Sequence, residues 1–145
     1  MKKYILFSVF FTAFAALNSV YAQDDVFGKW KCTNDEGKVN SIVKIFKKED
    51  GEVCGKVVRI TKEEDRDKLC TECKGALKDK PIEGLQLMHG LKKEGDHYAG
   101  GEIINPKSGK VYKVKIWVDE DNPDMLNVRG YVAFFYKTMT WERAE

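Results

Sequence analysis

The sequence predicts a single all-β domain, an eight-stranded antiparallel meander that closes into a barrel. Three observations predict it. Turn signals recur at short intervals, at Asp35-Glu36-Gly37-Lys38, Glu49-Asp50-Gly51, Lys93-Glu94-Gly95-Asp96, Asn105-Pro106-Lys107-Ser108-Gly109 and Asp121-Asn122-Pro123-Asp124. The runs between them are rich in Val, Ile, Tyr and Phe and alternate in polarity, as strands joined by tight turns do. No stretch of ten residues or more carries the helical period, and the charged segment 62–80 leaves room only for a short helical turn.

Taken in order, the strands are expected near 26–34, 39–47, 53–61, 82–91, 97–104, 111–119, 125–134 and 137–143. Side chains alternate along a strand, so parity assigns faces. Tyr112, Val114, Ile116 and Val118 share one side, opposite Lys113 and Lys115. Leu126, Val128, Gly130, Val132 and Phe134 share another, opposite Asn127, Arg129 and Tyr131. Leu85, Leu87, His89 and Leu91 go together, which turns His89 inward. Gly100-Gly101 inside a strand marks a bulge or a kink at a barrel corner. Closure is favoured because an open sheet would expose two edges. Eight is also the strand number at which a barrel is either just filled by side chains or holds one small ligand.

Residues 1–22 read as a secretory signal peptide, with Lys2 and Lys3 ahead of an apolar run from Tyr4 to Leu17 and small residues at Val20-Tyr21-Ala22. The run is shorter than the ~20 residues of a membrane span, and no cysteine follows the cleavage point to receive a lipid. The mature domain, 23–145, is therefore expected to begin at Gln23 and to be periplasmic or secreted, with no membrane span. Lys2 and Lys3 account for two of the 25 basic residues, leaving 23 basic against 23 acidic. A neutral domain has no general field for nucleic acid, and none is expected as a partner.

Four cysteines, Cys32, Cys54, Cys70 and Cys73, lie in the mature part, and an even count in an exported chain favours disulfides. Of the three pairings, Cys70–Cys73 with Cys32–Cys54 is preferred, because the first pair is too close in sequence to avoid meeting. A redox role for Cys70-x-x-Cys73 would need a βαβ setting that the surrounding pattern lacks. Zinc would need four ligands, and His89 and His97 are isolated, so no metal and no cofactor is expected. The chain has neither a Gly-x-Ser-x-Gly elbow nor a His-Glu-x-x-His motif, and a non-enzymatic protein is expected.

Gly28-Lys29-Trp30 on the first strand and Trp141-Glu142-Arg143 on the last resemble the calycin pattern of lipocalins and fatty-acid-binding proteins. The resemblance implies that Trp30 packs near the closed end of the barrel and that Arg143 lies across its face. Nearly the whole mature chain is similar to the bacterial exported family known as domain of unknown function 2147. The matching stretches are Phe27-Gly28-Lys29-Trp30, Cys70-Thr71-Glu72-Cys73-Lys74-Gly75, Ile82-Glu83-Gly84-Leu85, Gly100-Gly101-Glu102-Ile103-Ile104-Asn105-Pro106, Gly109-Lys110-Val111-Tyr112, Leu126-Asn127-Val128-Arg129-Gly130-Tyr131 and Trp141-Glu142-Arg143. This resemblance implies a lipocalin-like barrel and carries no established activity. The chain departs from the pattern in its second cysteine pair, Cys32 and Cys54, and in Asn105 where an Asp commonly precedes the proline.

The leading expectation is an exported binding protein that holds a small apolar or amphipathic ligand in the barrel mouth. His89, Tyr112, Arg129 and Tyr131 are the polar groups nominated for that ligand. For Arg129 a surface stack on Trp117 is preferred to a ligand carboxylate. Two alternatives stand beside it: a filled barrel that works through its outer surface, and a thiol-redox factor using Cys70 and Cys73.

Overall fold

A computed structural model describes residues 25–145, so the expected signal peptide lies outside the described residues. The strands are β1 (Gly28–Thr33), β2 (Val39–Lys47), β3 (Val53–Ile60), β4 (Gln86–Glu94), β5 (His97–Ile104), β6 (Val111–Val118), β7 (Met125–Val132) and β8 (Phe135–Arg143). Each pairs antiparallel with the next, and β8 returns to β1 to close a barrel. Side chains of turn residues satisfy the donors that the turns strand. Asn34 Oδ1 accepts from the Glu36 and Lys38 N–H groups, and Asn105 Oδ1 accepts from Lys107 N–H. Asp119 and Asn122 do the same between β6 and β7.

The two ends of the barrel differ. The lower end carries the turns 48–52, 95–96 and 119–124, together with Asp25 and the C-terminus. Above it the interior is solid: Trp30, Val43, Ile45, Met88, Leu91, Ile116, Leu126 and Trp141 are all buried. The upper end carries the turns 34–38, 105–110 and 133–134 and the long connection 61–85, which holds two short 3-10 turns, Glu63–Asp65 and Gly75–Leu77.

Alternation fails at one place that matters. Val53 pairs with Leu91 and Gly55 with Met88, so β4 carries one residue more than β3 across this step. The extra residue sits at Gly90, with φ +75°, beside the matching irregularity of β5 at Gly100, φ +80°. A Cβ at Gly101 would overlap the His89 carbonyl oxygen, so the two bulges pack backbone to backbone. The bulge resets parity: Met88 and Leu91 both face the core, and His89 points out to solvent, 3.7 Å from Glu102. The inward His89 inferred from strict alternation is thereby corrected.

The expected Cys32–Cys54 disulfide is also corrected. Cys32 lies opposite Ser41 of β2, whereas Cys54 lies opposite Phe46 on the other side of that strand. Five residues of strand span about 16 Å, far beyond the roughly 7 Å between Cα atoms that a disulfide tolerates. Both cysteines are free thiols. Phe134, assigned to the β7 face by parity, instead occupies the β7–β8 turn after Ala133 (φ +50°) and is 99% exposed.

Candidate functional site: the mouth and the seam between β1 and β8

The lower end is locked by one side chain. The Arg143 guanidinium lies 4.2 Å from the centre of the Trp30 ring. It donates to the carbonyl oxygens of Phe27 (3.2 Å), Asp25 (3.4 Å) and Pro123 (3.1 Å), and pairs with Asp124 at 3.6 Å. Trp30 Nε1 donates to the Val26 carbonyl at 2.8 Å. Every polar group of this plug therefore has a partner, and a cation over an indole adds on the order of 1 kcal/mol.

The upper half is built differently. β1 and β8 share two paired positions, Trp30 with Arg143 and Lys31 with Glu142, while β7 and β8 pair along their whole length. Above Glu142 the two strands part, leaving a seam. Val132, Phe135, Lys137 and Met139 occupy positions on the same side of β7 and β8 as the buried Leu126, Val128 and Trp141. Yet Val132 is half exposed and Phe135 is 79% exposed. Lys137 Nζ reaches across the seam to Asp35 Oδ1 at 3.0 Å, which ties the β7–β8 hairpin to the β1–β2 turn at the rim. Tyr112 is half-buried and leans over Gly130, where an added Cβ would meet its ring carbon at 3.9 Å.

Of the four residues nominated from the sequence, Tyr112 alone faces this interior; they do not come together as one site. His89 is outward for the reason given above. Arg129 lies on the outer face, 5.0 Å from the Trp117 ring and 4.3 Å from the Tyr136 ring, and its Nε donates to Thr138 Oγ1 at 2.7 Å. Tyr131 packs beside Tyr136, ring centres 6.0 Å apart. The guanidinium thus stacks between aromatic faces outside the barrel, with no route to a ligand carboxylate inside it.

Sequence reasoning missed a row of polar groups inside. Cys32 shares the inner side of β1 with Trp30, and Ser41 faces it from β2. Burial pushes the Cys32 thiol up to about 11, against the opposing pull of a hydrogen bond from Ser41. At neutral pH it is protonated and a poor nucleophile. Continuing the β1–β8 register sets Cys32 beside Trp141, whose Nε1 is buried and finds no acceptor among the described residues. No motif could have flagged this row, because it is assembled from three strands.

The long connection is pinned at the upper end. Cys70 is disulfide-bonded to Cys73, and Leu69 bridges to Pro81. Glu83 Oε2 accepts from Ile60 N–H at 3.0 Å. The connection docks on the β5–β6 turn: Cys70 Sγ lies 3.5 Å from the Pro106 carbonyl, and Gly109, φ +71°, is so close to Glu72 that a Cβ would overlap its carbonyl. The disulfide sulfurs are buried, Cys70 being 0% and Cys73 2% exposed. Two hollows of about 290 Å³ each mark the surface, one formed by the 76–86 stretch and one at the lower rim by Asp96 and residues 117–120. Cys54 is buried on the other side of β3; its thiol is pushed up by burial and by the neighbouring Glu52.

A search of solved structures finds the same architecture in a Helicobacter pylori protein, HP1028, described as belonging to the lipocalin family. The two share 19% identity with a TM-score of 0.71, over 83% of this chain and 84% of that one, which is a likeness of fold. No curated protein matches the sequence. The family model described as "Uncharacterized protein conserved in bacteria (DUF2147)" matches residues 28–143, from the glycine that opens β1 to the arginine that ends β8, and the chain belongs to that family.

Proposed function

We propose that the protein is an exported, non-enzymatic carrier that holds a small apolar or amphipathic molecule in the upper half of its barrel. One observation carries the reading: on the inner side of the β7–β8 hairpin, Val132 and Phe135 stay uncovered where β8 parts from β1, above the half-buried Met139 and a filled lower half. An apolar surface of this kind on a concave wall is what a small ligand covers. The solved relative is described as a lipocalin, which supports the same class of function. The proposed location, the periplasm or the cell exterior, rests on the signal-like pattern of residues 1–22. The buried disulfide argues against thiol exchange with a partner, and the protonated Cys32 argues against nucleophilic chemistry inside the barrel.

Native mass spectrometry of the protein purified from its own host, with titration of a fluorescent fatty-acid probe, tests this reading. An adduct of constant mass, or a probe displaced by apolar competitors, is expected. A bare protein that ignores such probes would remove the reading. A second reading, a module working through its outside, has its own observation in the exposed turn of Phe134, Phe135 and Tyr136. It predicts that Phe134→Ser abolishes partner capture while leaving probe binding intact.

A further inference from the structure

The two interior tryptophans invite a direct comparison. Trp30 Nε1 has its acceptor in Val26 O, 2.8 Å away. Trp141 Nε1 is equally buried and has none among the described residues. A buried donor left unpaired costs as much as a lost hydrogen bond, and such groups are rare in folded proteins. Its position is informative. Trp141 and Cys32 are the first inward residues above the last β1–β8 pair, Lys31 with Glu142, so the buried orphan N–H belongs to the residue at the base of the seam. Cys32 and Ser41 continue the polar row, facing each other across β1 and β2.

The surroundings restrict what this donor can meet. Leu126, Val128 and Met139, its neighbours on the inner side of β7 and β8, are apolar. Both cations on that side of β8 are engaged elsewhere: Arg143 with Trp30 and the carbonyls beneath it, and Lys137 with Asp35 at the rim. An ionised carboxylate would lose its hydration here without gaining a counter-charge, at prohibitive cost. A neutral oxygen acceptor loses far less and gains the indole N–H.

We propose that Trp141, with Cys32 and Ser41 beside it, forms the polar base of the ligand site and selects molecules bearing an uncharged oxygen acceptor, such as a ketone, ester or alcohol, at the end of an apolar chain. This rests on the carrier reading above and narrows its ligand class. Such a molecule enters along the β1–β8 seam with its oxygen toward Trp141 and its chain against Met139, Val132 and Phe135.

The test uses two probes of equal chain length on the intact mature protein: 2-decanone, which has an acceptor, and decylammonium, which has none. In the ¹⁵N-labelled protein the Trp141 indole signal, assigned by its loss in Trp141→Phe, moves downfield with the ketone and stays in place with the ammonium. The ketone binds more tightly by about tenfold, the worth of one good hydrogen bond, and Trp141→Phe erases that preference while keeping the ring. The wild-type indole shift stands alone as a readout should the variant fail to fold. Equal binding of both probes with a motionless indole signal overturns the subsite and leaves the carrier reading standing. An indole N–H that is hydrogen-bonded before any probe is added, and unmoved by one, overturns it in favour of a trapped water. Failure of both probes to bind overturns the carrier reading and this inference with it.

Discussion

The lower and upper halves of this barrel are made of the same strands and the same kinds of residue, yet they are finished differently. Below, Trp30 is wrapped on every side, its N–H bonded to Val26 and its face covered by Arg143. Above, Trp141 is buried with its N–H unanswered among the described residues, and the strands over it part. The lower half is complete as a folded protein; the upper half has surface and a donor to spare. The difference separates the half that carries stability from the half that the proposed carrier role would use, because a group optimised for the native state has nothing left to offer a ligand.

The sharpest way to break this comparison is Trp30→Ala. Removing the plug should cost about 3–5 kcal/mol, the range for deleting a buried aromatic side chain, and denaturant titration would read it as a lower midpoint. A change much smaller than that would mean the lower core is not solid. Next comes Gly109→Ala, which must force Glu72 off the β5–β6 turn and strain a left-handed backbone. It should cost about 1–3 kcal/mol, with hydrogen exchange quickening over 61–85 while β1 stays protected. Equal loss of protection in both regions would erase the distinction between the ends.

A matched pair sharpens the contrast further. Trp30→Phe strands the Val26 carbonyl and should cost about 1–2 kcal/mol, whereas Trp141→Phe removes an unpaired donor and should be neutral or stabilising. Thermal unfolding of the two variants side by side would expose an equal loss if the tryptophans were equivalent. At the rim, Phe135→Ser is expected to change stability by less than about 0.5 kcal/mol, as exposed substitutions do, yet to abolish probe binding. The smallest effect belongs to the turn beneath Gly90. Lys48 at 2.9 Å and the Gly90 N–H at 2.7 Å hold Glu52 ionised below the usual carboxylate value of 4.5. A carboxyl lowered in the folded state contributes its stabilisation fully above the unfolded value and loses it as pH falls through the lower folded value. Acid unfolding monitored from pH 5 downward should lose that step in Glu52→Gln, and an unchanged profile would show that Glu52 contributes nothing.

Much of the fold was legible in the residues. Turn punctuation and alternation gave all eight strands, with β4 displaced from 82–91 to 86–94 and the β7–β8 turn from 135–136 to 133–134, and alternation assigned Tyr112, Val114 and Ile116 to the inner side of β6 and Arg129 to the outer side of β7, beside Trp117. The site was far less legible. His89 was misassigned because a single inserted residue at Gly90 inverts parity at Met88 and His89, and Gly90 carries no mark that distinguishes it from an ordinary strand glycine. Cys32 and Cys54 were paired by counting, which knows nothing of the strand length that separates them along β2.

The sequence by itself determined the strand count, five of the turns and the Cys70-x-x-Cys73 closure, and its resemblance to the calycin pattern named Trp30 and Arg143 as the plug of the lower end. The first three follow from local chemistry: side-chain period, turn propensity and short separation along the chain. Tertiary structure alone decided the seam between the first and last strands, the bulges that turn His89 outward, and the alignment of Trp141, Cys32 and Ser41 along β8, β1 and β2. Those depend on register between residues up to 113 positions apart in the chain, Trp30 and Arg143, and register is set by the packing of the whole barrel rather than by any segment within it.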